Sequence, residues 1–178
     1  MRKLLIMLFS FMMNTGLSQE HGKFSFWANI GAGISTFGHK SSDWSMCGNV
    51  GISIRYSEVV LKYKRNVHSE FDILGIQDHA KMHEIMLGYS TRMLSVFYFN
   101  ICGGIGSLEE IIQGRYIGNS GLMNDNYEMI TRSTICFPIE LEIQLLAKYA
   151  GFSYVVFSEF SRFRPIYGIQ INLLLGYL

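Results

Sequence analysis

Residues 134–145, T-I-C-F-P-I-E-L-E-I-Q-L, constrain the fold of this chain more than any other stretch. Ile135, Phe137, Ile139, Leu141, Ile143 and Leu145 take every odd position, and Thr134, Cys136, Pro138, Glu140, Glu142 and Gln144 every even one. Side chains alternate across a strand, so one face is hydrocarbon and the other carries two carboxylates. On a helix both sets would be spread around the circumference. The same two-faced pattern recurs along most of the chain. One architecture accommodates it throughout: a closed barrel with its hydrocarbon turned outward to lipid.

The recurrence defines eight strands. The first covers residues 23–35, with Phe24, Phe26, Ala28, Ile30, Ala32 and Ile34 on one face. The others are expected at 49–56, 59–64, 84–90, 93–106, 134–145, 152–159 and 167–177. Only Ser57 and Glu58 separate the second from the third, and Thr91 and Arg92 mark the turn into the fifth; 147–149 turn the sixth into the seventh. Polar stretches at 36–45, 66–82 and 107–132 read as loops, and a short connection through Arg162 and Pro165 precedes the last strand. Tight turns thus follow strands two, four and six, and longer connections follow the odd ones. That is the alternation of an outer-membrane barrel, with tight periplasmic turns and extended surface loops.

Composition agrees. Hydrophobic residues make up 49% of the 178, yet after Met13 no apolar run approaches the roughly 20 residues of a membrane helix. Interleaving explains how a chain can be so apolar without such runs. A net charge of +1 offers no nucleic-acid footprint, and three cysteines are too few for a disulfide scaffold. Arg2 and Lys3 followed by the apolar run 4–13, with Gly16 and Ser18 as small residues before a cleavage point, form a signal-peptide pattern. Residues 1–18 are therefore expected to be removed on export, leaving 19–178 as the barrel domain.

Alternation alone leaves open which face is inside, since a lipocalin-like barrel alternates too. Volume decides it: an eight-stranded interior is only just filled by side chains, and the apolar face carries far too many large ones. Tyr56, Tyr89, Tyr167 and Tyr177 sit near strand ends on that face, as interfacial girdles require. In its strand pattern and loop alternation the chain resembles the small eight-stranded outer-membrane barrels, of the OmpX/Ail-like and OmpA-transmembrane type. It is also similar to the broad outer membrane protein β-barrel family. The resemblance implies an up-and-down transmembrane barrel embedded in outer-membrane lipid and lipopolysaccharide, inserted by the barrel assembly machinery and working as a monomer. Two departures are an outward Tyr177 followed by a final Leu178, and Pro138 within a strand, where a bulge is expected.

The inward faces carry Arg55, Lys62 and Lys64 on strands two and three, and Glu84, Glu140, Glu142 and Glu159 on strands four, six and seven. Arg55 and Lys62 are expected to reach Glu140 and Glu142 across the lumen, and Lys64 to meet Glu84 beside it. Trp27, Tyr98 and Phe157 would fill the remaining space. Cys102 and Cys136 could bridge if their hairpin closes near Gly106 and Arg132, with Cys47 left free. His79 and His83 would face one metal if residues 79–83 formed a helical turn. The resemblance extends to lipid A-modifying barrels, for which His83 with Ser69 and Glu70 are the candidate residues. No nucleotide loop, CxxC knuckle or heptad is present, so no cofactor is implied. The functional expectation is a structural or adhesin-like surface barrel acting through its loops, the alternatives being a lipid A-modifying enzyme or a narrow channel.

Overall fold

A computed structural model describes residues 24–37, 44–70, 78–119 and 125–178. The proposed signal segment, and the middles of the first three long connections, lie outside the described residues. Eight strands form a closed ring in sequence order: β1 (Phe24–Phe37), β2 (Trp44–Tyr56), β3 (Val59–Glu70), β4 (His79–Leu94), β5 (Phe97–Asn119), β6 (Asp125–Leu146), β7 (Ala150–Ser161) and β8 (Ile166–Tyr177). Every neighbouring pair is antiparallel, and β1 closes on β8.

Register sets the barrel's shape. Stepping from Phe26 through Ile54, Leu61, Leu87, Gly103, Ile139, Ser158 and Tyr167 returns to β1 at Thr36, ten residues above the start. Eight strands with that shear tilt by about 40°, so each residue climbs about 2.5 Å along the barrel axis. With the tilt removed, the connections at Ser57–Glu58, Ser95–Val96 and 147–149 share one level with both barrel ends, Phe24 and Leu178.

The parity expected from the sequence holds. Phe26, Ile52, Leu61, Leu87, Ile101, Leu141, Tyr154 and Ile171 are exposed on the outside, while Trp27, Ser53, Lys62, Met86, Glu142 and Phe157 are buried inside. Tyr177 points outward and Leu178 is buried, its amide donating to the Lys148 carbonyl at 3.3 Å.

Three features depart from the sequence reading. Stretches 36–37, 44–45, 66–70, 79–82, 107–119 and 125–132 are strand where loops are expected, because their polar residues break the alternation by which strands are recognised. The β4–β5 turn lies at Ser95–Val96, four residues beyond Thr91–Arg92, and a bulge falls between Arg92 and Leu94. The Arg92 guanidinium donates to the carbonyls of Leu94 and Ser95 and so holds the turn. Pro138 makes no bulge. Ladder pairing lapses between Gly103↔Ile139 and Gly106↔Cys136 without a register shift, so the missing N–H faces β5 while Pro138 still pairs with Glu159 on β7.

Candidate functional site

The interior is layered. At the turn end Trp27, Val60, Met86, Cys102, Leu146 and Leu174 form an apolar floor, against which Tyr98 packs. Phe37, Met82, Leu108, Phe157 and Ile166 belong to a second apolar cluster toward the loop end. Charges and amides occupy the level between.

Lys62 Nζ donates to Glu142 Oε2 at 2.5 Å and to Glu140 Oε2 at 3.3 Å. Lys64 Nζ donates to Glu140 Oε1 and lies 4.0 Å from Glu84 Oε2. All of these side chains are at least nine-tenths buried. Shear explains the matching. Perpendicular pairing carries Lys62 through Met86 and Gly104 to the rung of Pro138. Three strands of climb amount to about four residues, so the side chain level with Lys62 across the lumen is Glu142.

The same shear separates Arg55 from both carboxylates, against the sequence expectation. Arg55 sits lower, donates to Ser25 Oγ at 3.1 Å, and lies 4.1 Å from the Tyr98 ring centroid and 5.8 Å from that of Trp27. A guanidinium over aromatic faces keeps a favourable field there without an anion.

Asn66 was not foreseen as a member. Its amide donates to Glu84 Oε2 at 3.0 Å and to Glu159 Oε1 at 2.9 Å, bridging two carboxylates across the interior. His68, fully buried, bonds Ser35 Oγ at 2.9 Å and stands 3.5 Å from Glu159. Their even parity on β3 was the available signal, hidden by reading 66–82 as a loop. An amide layer, Asn49 to Gln170 and Asn172 at 2.8 Å each, fills the opposite side. The space left among Trp27, Asn29, Lys62, Lys64, Glu140 and Glu142 is about 10 Å³, roughly the room of one water.

A second charged group caps the loop end. Glu110 receives Arg132 at 2.7 Å and Arg164 at 3.2 Å, and Arg164 also reaches Asp78 at 3.2 Å. Arg164 stacks on Phe37 and Arg132 on Phe163. The β7–β8 connection is thereby drawn over the mouth of the barrel. Glu110 and Arg132 fall in the stretch 107–132 that reads as a loop, where parity carries no meaning.

The remaining expected constellations do not assemble. Cys102 pairs with Glu140 while Cys136 pairs with Gly106, four residues away. That is about 13 Å along the ladder, beyond disulfide reach, and all three thiols are free and buried. His79 and His83 lie on a strand, not a helical turn, so four residues separate them by about 13 Å as well. Each Nδ1 has its own partner: Ser69 Oγ at 3.0 Å for His79, Tyr63 Oη at 2.9 Å for His83. Among the described residues no group of His, Cys, Asp or Glu could hold a metal. Ser69 therefore meets His79 rather than His83. Glu70 pairs with Ser45 in the ladder, and its side chain lies outside the described residues.

Eight tilted strands, hydrocarbon outside and ion pairs inside define a small transmembrane β-barrel. Its fold is that of the eight-stranded outer-membrane proteins. No protein-family model matches the chain, and no curated protein matches its sequence. Solved structures do. Neisserial surface protein A superposes with a TM-score of 0.64 at 5% identity, over 89% of this chain and 100% of its own. Ail, the attachment invasion locus protein of Yersinia pestis, gives 0.56 at 9% identity over 89% and 99%. The N-terminal barrel domain of Pseudomonas aeruginosa OprF gives 0.52 at 8% over 85% and 97%.

Proposed function

We propose that this chain is exported by residues 1–18, inserted by the barrel assembly machinery, and resides as a monomer in the outer membrane among phospholipid and lipopolysaccharide. There it acts as a surface-interaction protein, not as a pore. The observation that carries this reading is the length of one hairpin. Pairing of β4 with β5 stops at Ile111 and that of β6 with β7 at Cys136, yet β5 runs on to Asn119 and β6 begins at Asp125. A two-stranded blade therefore stands clear of the ring with both edges unpaired among the described residues. Unpaired edges and exposed apolar side chains, here Ile117, Met129 and Ile130, are the features that recruit an extended segment of a partner. A rigid barrel presenting a projecting element is how scaffolds generally carry binding function.

Replacing residues 112–130 by a short turn tests the proposal. The shortened protein should still shift its gel mobility on heating, as a folded barrel does, but lose adhesion to host cells and matrix proteins. Undiminished adhesion would overturn the assignment to the blade.

The ion-paired lumen supports closure to ions, because the space among its central Lys and Glu side chains is about that of one water. The mature chain should begin at Gln19, which intact-mass measurement of the purified membrane protein checks.

A further inference from the structure

The outer face is not uniformly apolar. On β3 the outward positions run Val59, Leu61, Tyr63 and then Arg65; on the adjoining β4 they run Leu87, Ile85, His83 and Lys81. Arg65 and His83 are directly opposed in the ladder, Lys81 is one outward position further on, and all three are exposed. Tyr63 holds the His83 ring by its hydroxyl and lies stacked against it.

Height makes this arrangement unusual. With the tilt removed, outward Ile34, Met46, Phe137, Phe160 and Tyr167, on five other strands, all stand at or above the level of Arg65 and His83. An outward apolar band about 25 Å tall spans about ten residues above the turn plane at this tilt, and Arg65 falls inside it. Lys81 stands at its upper edge. A cation facing hydrocarbon is costly unless an anion meets it or its stem lifts it to the headgroups. Among the described residues no carboxylate forms an ion pair with Arg65 or Lys81. Glu109, directly opposite Lys81, comes nearest in register but makes no bridge to it.

We propose that Arg65, Lys81 and His83 form a site for the phosphate of an anionic outer-leaflet lipid, whose acyl chains lie against Leu61, Tyr63, Ile85 and Leu87 below. The guanidinium takes phosphate oxygens in a fork, the ammonium adds a point charge, and the Tyr63-held imidazole supplies a third donor. The site rests on the placement of the barrel in the outer membrane and adds to it a defined headgroup.

Native mass spectrometry of the full mature protein in neutral detergent tests it, with bisphosphorylated lipid A, the same lipid stripped of phosphate, and sodium phosphate as probes. The wild type should retain one bisphosphorylated lipid, and the stripped lipid and free phosphate should not compete for it. Arg65→Ala with Lys81→Ala should weaken retention about 25-fold, since each basic residue near an anionic surface contributes about fivefold. Glu109→Gln should strengthen it. Equal retention by wild type and double variant, or of both lipids, would overturn the site. Failure of the wild type to insert into bilayers would instead overturn the membrane reading beneath it.

Discussion

Glu142 has the most to lose of any single side chain. It accepts from Lys62 at 2.5 Å and from Asn100 at 2.9 Å, in a setting with room for about one water. Stranding one partner of a buried pair costs roughly 3–5 kcal/mol. Glu140 remains 3.3 Å from Lys62, so Glu142→Ala should lie at the low end, about 3 kcal/mol. Glu142→Gln, which keeps an acceptor, should cost visibly less. Urea unfolding in micelles, followed by tryptophan fluorescence from buried Trp27, measures both. The cysteines give a second expectation at this scale. Cys102 and Cys136 are held four rungs apart by register, so all three thiols should alkylate in unreduced, denatured protein. A retained Cys102–Cys136 bridge would mean that the β5–β6 register is wrong.

Among the elements, β1 depends most on a small residue. A Cβ built on Gly33 would stand 1.9 Å from the Ile169 carbonyl oxygen and 2.8 Å from Gln170 Cα, both backbone atoms of β8. This is the seam where the first and last strands close the ring, with Gly33 facing Gln170. Backbone cannot swing aside as a side chain can, so Gly33→Val should destabilise the barrel by about 1–3 kcal/mol or more. The fraction that shifts mobility on heating should fall accordingly. The β5–β6 hairpin contrasts with this seam. Its outer half pairs with no other described strand, so its removal should cost the barrel little stability. The sequence reading missed that extension for a physical reason: above the membrane neither face of a strand needs hydrocarbon, so the alternation that betrays strands fades.

For the whole molecule, the proposed closure of the lumen predicts electrical silence. Wild-type protein in planar bilayers should show no steady porin-sized conductance. Opening the middle and the floor together, with Glu142→Ala and Arg55→Ala, should give brief small events, because Lys62 loses its nearest anion and Tyr98 its cation. A large steady current from the unmodified protein would refute the closed interior. The rim acts in the same sense: Arg164, Glu110, Arg132 and Asp78 tie the β7–β8 connection over the mouth. High salt screens exposed pairs far more than buried ones, so salt should loosen this cap before it touches the Lys62–Glu142 layer.

The sequence alone determined strand count, parity and orientation, because alternation has a period of two and each residue carries its own vote. It therefore placed Lys62, Lys64, Glu84, Glu140, Glu142 and Glu159 inside and Tyr63 and Ile85 outside. Which charges meet was decided only in the tertiary structure, by a shear of ten residues accumulated around the closed ring. Shear is a sum over eight registers, none written in any one strand. It sets Lys62 level with Glu142 and lowers Arg55 onto Tyr98. It holds Cys102 away from Cys136, and it sets Arg65 and His83 no higher than outward apolar side chains on five other strands.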